Sequence, residues 1–238
     1  LLFMLIEKKK FTSNNLLNLL IATIPFSLIL GNLAININII FICFLGIIIF
    51  KLETFKINKK IYSYLIYSFF AYLILITLYN NLPNINDNYL YKEHIIKSFL
   101  FLRFLILFLV VNKLVEKNLF NINLFFISCA FFAMAVSMDL IVQVILKKNI
   151  LINPLVFQPS TFFGVENIAG GYLQKFSLFF IILIVSLVKK NKLNLYSNLL
   201  FMFFLIPILL TGNRMPLILY IFSAFIFFTL QKKIKETF

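Results

Sequence analysis

The chain has 238 residues, of which 62% are hydrophobic and only 13% charged, with a net charge of +14. A soluble domain is closer to half apolar and about a quarter charged, so lipid is the solvent that suits this composition. The positive excess does not point to nucleic acid, because the lysines lie in short clusters between apolar runs, the pattern of loops that face anionic lipid.

Eight apolar runs follow in chain order: Leu16–Leu30, Leu33–Phe50, Ile61–Tyr79, Ile95–Val111, Leu119–Leu146, Ile168–Val188, Leu195–Leu210 and Leu217–Leu230. Most approach the roughly 20 residues that cross a bilayer as a helix. Pro25 interrupts the first, and the last two are short enough to draw on their flanks. The breaks carry Gly, Pro, Asn or charge. The expected fold is all-α: a polytopic integral membrane protein of about eight transmembrane helices, forming a single membrane-embedded domain over 1–238. Lys8, Lys9 and Lys10 precede the first run as in a signal peptide, but no small-residue cleavage site follows and the second run starts at once, which reads as a membrane hairpin. The chain opens on Leu1, and Met4 is a candidate start.

With the N-terminus inside and the spans alternating, the inner segments hold Lys8–Lys10, then Lys51, Lys56, Lys59 and Lys60, then Lys113 and Lys117, then Lys189, Lys190 and Lys192, and finally Lys232, Lys233 and Lys235. These are 15 of the 22 basic residues. The opposite orientation reverses the bias, so both termini are expected in the cytoplasm. The outer segments are then the turn Gly31–Asn32, the loop Asn80–His94, the long stretch Lys147–Asn167 and the short loop Thr211–Pro216. Polar chemistry gathers on that side. No Walker, HExxH, CxxC or GxSxG pattern occurs. Cys43 and Cys129 fall inside apolar runs and read as packing residues, and His94 reads as a lone interfacial histidine, so no metal and no cofactor are expected. The abundance of Ile, Asn, Lys and Phe fits an AT-rich coding sequence, so a single Asn or Lys carries little weight.

Arginine is different. There are two, against 20 lysines. Lysine suffices as a point charge at a lipid surface, whereas the planar guanidinium suits phosphate or carboxylate. Arg214 lies at the outer end of the seventh span and Arg103 within the fourth; the alternatives are snorkelling or a structural ion pair. If the outer ends of the spans are level, Arg103, Asp139 and Lys175 all lie about 10–12 Å deep and can meet in a cavity open to the outside. Gln143 shares the helix face of Asp139 one turn nearer the surface. Glu166, between Gly164 and the Gly170–Gly171 pair, is either a general base at the membrane mouth or a cap on the sixth span.

Three stretches together resemble the O-antigen ligase and O-antigen polymerase family of bacterial envelope enzymes: MDLIVQVILKKNI, with Asp139, Gln143 and Asn149; FFGVENIAGGYL, with Gly164, Glu166, Gly170 and Gly171; and LLTGNRMPLIL, with Thr211, Gly212 and Arg214. The segment SFLFLRFLILF around Arg103 is similar to an earlier helix of the family. The set spans about Phe99 to Leu219, in the family's order. The resemblance implies a metal-independent glycosyltransferase of the inner membrane, active at the periplasmic face. Its donor is a glycan on undecaprenyl pyrophosphate, and its acceptor is another glycan or lipid A–core. It implies a pyrophosphate site at Arg214, with Arg103 and Lys175 as further cations. Glu166 and Asp139 are the catalytic candidates, and Gln143, Gly164 and Gly212 are supporting residues. Members of the family continue into a large periplasmic loop and further spans, so a chain ending at Phe238 is expected to be truncated relative to them. The competing expectations are a flippase for the same lipid-linked sugars and an inactive fragment.

Overall fold

The computed structural model describes residues 13–56, 61–81, 89–146, 163, 168–188 and 193–237. Every regular element among them is helical. The helices are α1 (13–22), α2 (Ile24–Ile29), α3 (Asn32–Phe50), α4 (Ile61–Asn81), α5 (Tyr89–Glu116), α6 (Ile122–Leu146), α7 (Ala169–Leu187), α8 (Leu193–Leu210) and α9 (Arg214–Thr237), with a short 3-10 turn at Lys51–Phe55 after α3. Among the described residues five helical stretches are long and apolar enough to cross a membrane: Asn32–Phe55, Ser63–Asn80, Glu93–Glu116, Ile122–Leu146 and Ala169–Leu187. Leu195–Leu210 and Arg214–Leu230 are apolar but shorter.

Large apolar side chains stand on the outside, Phe44, Leu75, Phe131 and Phe225 among them, each more than 60% exposed. Helices apolar on all sides belong in lipid. This is a membrane-embedded helical protein. The first expected span is not one helix. It breaks at Thr23, and Pro25 stands in the first turn of α2, the place in a helix where a residue without an N–H costs least.

The chain packs as two compact units. The first comprises residues up to Leu20 together with Asn36–Phe120. Asn18 Nδ2 donates to the Leu119 carbonyl at 2.8 Å and to Asn14 O at 3.0 Å. Gly46 on α3 lets Val110 of α5 lie directly against the helix backbone, the small-residue approach common between helices in lipid. Glu53 and Lys117 form an ion pair.

The second unit comprises Ile21–Ile35 and Asn121–Phe238. Its core is a stripe on α6 (Cys129, Ala133, Val136, Leu140) meeting Tyr172, Leu173 and Phe176 of α7, Phe204 and Ile208 of α8, and Tyr220 of α9. Buried hydroxyls are satisfied locally: Ser137 and Ser177 donate to carbonyls of their own helices at 2.7 and 2.5 Å, and Tyr172 to Pro25 O at 3.1 Å. Buried polar groups require such partners where no water reaches.

Candidate functional site

The second unit gathers several of the singled-out residues at one end. α6 and α7 run antiparallel, with Phe125 and Phe126 of α6 against Phe179 of α7 at 5.2 and 5.4 Å between ring centroids. This end therefore holds the last turns of α6, the start of α7 and the turn from α8 to α9.

That turn follows from its sequence. Gly212 has φ +70°, a conformation that costs glycine nothing and closes α8. Its N–H bonds back to Leu209 O at 3.0 Å. Thr211, fully buried, donates its hydroxyl to Ile208 O at 2.7 Å. α9 then starts at Arg214, whose side chain is exposed, with Pro216 in its first turn. The start of α7 packs on this turn. At Gly170 a Cβ would lie 2.7 Å from Thr211 Oγ1 and 3.5 Å from the Pro216 ring, so the two segments touch because residue 170 has no side chain. The N-cap position of α7 is Ile168, which has no polar side-chain group to cap the helix.

On α6, Asp139 and Gln143 are both buried, and Gln143 Nε2 donates to Asp139 Oδ2 at 3.0 Å. The carboxylate lies inside the unit, not on its surface. Lys175 is exposed, on the same face of α7 as Gly171, where a Cβ would meet nothing within 4 Å. Helix side chains lean toward the N-terminus, so the Lys175 stem has an open strip leading to the start of α7.

Asp139 and Lys175 are not brought together. The ring contacts place Lys175 level with about residue 129, so Asp139 stands about 14 Å further along. The equal depths expected from the sequence rested on level span ends, and α6 overhangs the start of α7. Arg103 belongs to the first unit, so the structure gathers no triad of Arg103, Asp139 and Lys175 within one unit. Its guanidinium lies over the Phe104 ring at 5.1 Å, and its Nε is buried without a hydrogen-bond partner among the described residues. Its carbonyl accepts the Cys43 thiol at 3.4 Å. Glu166, Gly164 and Asn149 lie outside the described residues.

The chain matches no known protein family, no curated protein and no solved structure. The reading of the site therefore rests on its own geometry. Pro216, which sequence reasoning did not single out, is the second surface that Gly170 meets; the signal for it was a proline two residues after a lone arginine at a helix start.

Proposed function

We propose that the chain transfers a glycan from a polyprenyl diphosphate carrier, undecaprenyl pyrophosphate, to an acceptor hydroxyl at the periplasmic face of the bacterial inner membrane, in the manner of an O-antigen polymerase or ligase. One observation carries the reading: Gly170 meets Thr211 and Pro216, which joins the start of α7 to the start of α9, where Arg214 stands. Helix starts bear partial positive charge and N–H groups without intrahelical acceptors. A guanidinium adds two-pronged hydrogen bonding to phosphate. Two adjoining helix starts, one of them opening on an arginine, suit a diphosphate. Lys175 supplies a point charge along the open strip beside Gly171, and Arg103 is a further candidate cation.

In this reading the helices make about eight crossings, with α1 and α2 together forming the first. Both termini are cytoplasmic, and the Thr211–Pro216 turn is periplasmic. The lysine bias supports that orientation. In the reaction the acceptor oxygen forms a bond to the anomeric carbon while the bond from that carbon to the diphosphate oxygen breaks. The diphosphate leaves with the electron pair, and the acceptor proton passes to a base, for which Glu166 is the candidate. The cations stabilise the charge that grows on the leaving group in a low-dielectric site. Asp139, being buried, acts through its hydrogen bond with Gln143 and its field, not by touching the acceptor.

The test is transfer by the full chain in liposomes, using radiolabelled glycan on polyprenyl diphosphate with an acceptor glycan. Transfer is expected, falling about 100-fold in Arg214→Lys, the weight of one lost contact to developing charge. Full activity in that variant removes Arg214 from the mechanism. Movement of labelled donor across the bilayer with no transfer product turns the reading to a flippase.

A further inference from the structure

The first unit holds a cavity that glycan transfer leaves unused. It lies between α4 and α5 and has a volume of about 450 Å³, within the range of small-ligand sites. The two helices are antiparallel, with the Phe70 and Phe101 rings 5.9 Å apart, and this register sorts the cavity wall by polarity. Phe70 and Phe101 line one end, and Leu73 and Ile74 face Ser98 and Lys97 next along. Thr77, His94 and Asn80 lead to the other end, towards which the Lys97 side chain runs to reach Glu93. The Thr77 and Ser98 hydroxyls donate to Leu73 O and Ile95 O at 2.7 and 2.8 Å. Among the described residues, the donors for a ligand at the polar end are therefore the Asn80 amide, the His94 imidazole and the Lys97 ammonium. Lys97 also pairs with Glu93 at 2.7 Å, the two side chains being 64% and 39% exposed. An ion pair so open to solvent is weak and exchanges partners readily. Along α5, from the apolar end outward, the order of positions is thus Phe101, Lys97 and Glu93, each about one turn from the next, with the Lys97 ammonium drawn out to the Glu93 carboxylate.

We propose that this cleft binds a bilayer phospholipid with a zwitterionic head ending in a primary ammonium. Its acyl chain lies against Phe70 and Phe101, its phosphate meets Lys97, His94 and Asn80, and its ammonium meets Glu93. The order of charges in such a head group, phosphate deeper and ammonium further out, is the complement of the order on α5. A head group with net negative charge brings no cation to Glu93 and fits less well. The site is independent of the glycan-transfer reading.

The chain has no tryptophan, so Phe101→Trp places a single fluorescent reporter in the cleft, and Ile76→Trp places a second on the facing helix. Each variant is reconstituted with dibrominated phosphatidylethanolamine or dibrominated phosphatidylglycerol at equal mole fraction, bromine quenching the indole on contact. Phe225→Trp, on the exposed surface of α9, is the control. Quenching by the ethanolamine lipid is expected to be about fivefold stronger at the cleft reporters, the weight of one charge near the membrane surface. The preference is absent at the control and lost when Glu93→Gln is added, whereas Lys97→Gln lowers the cleft quenching by both lipids. Equal quenching by the two lipids at the cleft, or stronger quenching by the glycerol lipid, overturns the proposal. Two reporters on different helices keep the test valid if one substitution prevents folding.

Discussion

Gly170 and Thr211 approach so closely that a methyl group on residue 170 would stand 2.7 Å from the Thr211 hydroxyl oxygen. That oxygen is fixed: it belongs to a buried side chain that donates to Ile208 O. Gly171, the next residue, faces open space. Gly170→Ala is therefore expected to force apart the starts of α7 and α9, at a cost of about 1–3 kcal/mol, as for an overpacked core. Gly171→Ala is expected to be neutral or slightly stabilising, since alanine suits a helix better than glycine. Thermal unfolding in detergent checks the pair, and equal effects at the two positions contradict the contact.

The Asp139–Gln143 hydrogen bond makes a second prediction. Both side chains are buried, and the bond is 3.0 Å long. Gln143→Leu keeps the volume but removes a donor from a buried carboxylate. It is expected to destabilise the chain by about 1–3 kcal/mol, whereas Gln143→Glu, which sets two carboxyls one turn apart, is expected to cost more unless one stays protonated. Denaturant titration of both variants reads the difference. A Gln143→Leu variant as stable as the parent shows that Asp139 does not depend on this partner.

The third prediction concerns the first unit. A Cβ at Gly46 would overlap both methyls of Val110, and a β-branched side chain in a helix has little rotamer freedom to move aside. Gly46→Ala is expected to cost about 1–3 kcal/mol. Adding Val110→Ala is expected to restore most of it, the signature of a coupled pair. If the two substitutions simply add, the helices do not meet at this point.

Much of the helical layout was legible in the sequence because lipid imposes it. Apolar runs bounded by charge, glycine or proline predicted Ile61–Tyr79, Ile168–Val188 and Leu195–Leu210, against helices at Ile61–Asn81, Ala169–Leu187 and Leu193–Leu210. The Gly170–Gly171 pair announced close packing, but the partner did not. Thr211 lies about 40 residues away, and only the folded unit shows that it is Gly170, not Gly171, that touches it. The depth argument for Asp139 and Lys175 failed for a related reason. Span ends are visible in sequence, but the offset between neighbouring helices is set by which rings meet, here Phe125 and Phe126 with Phe179. The cleft between α4 and α5 was hidden in the same way. Asn80, His94 and Lys97 look like scattered interfacial residues until the register of Phe70 on Phe101 sets them along the wall of one cavity.

The proposed diphosphate site comes down to Arg214, which is exposed at the start of α9. Retention of undecaprenyl pyrophosphate by the purified chain, followed by native mass spectrometry, tests the site directly. The wild type is expected to hold the diphosphate lipid and not the bare polyprenol. Arg214→Lys is expected to weaken retention about 10- to 100-fold, as loss of a charge-assisted hydrogen bond would. Equal retention by the variant, or equal binding of lipid with and without the diphosphate, would contradict the account.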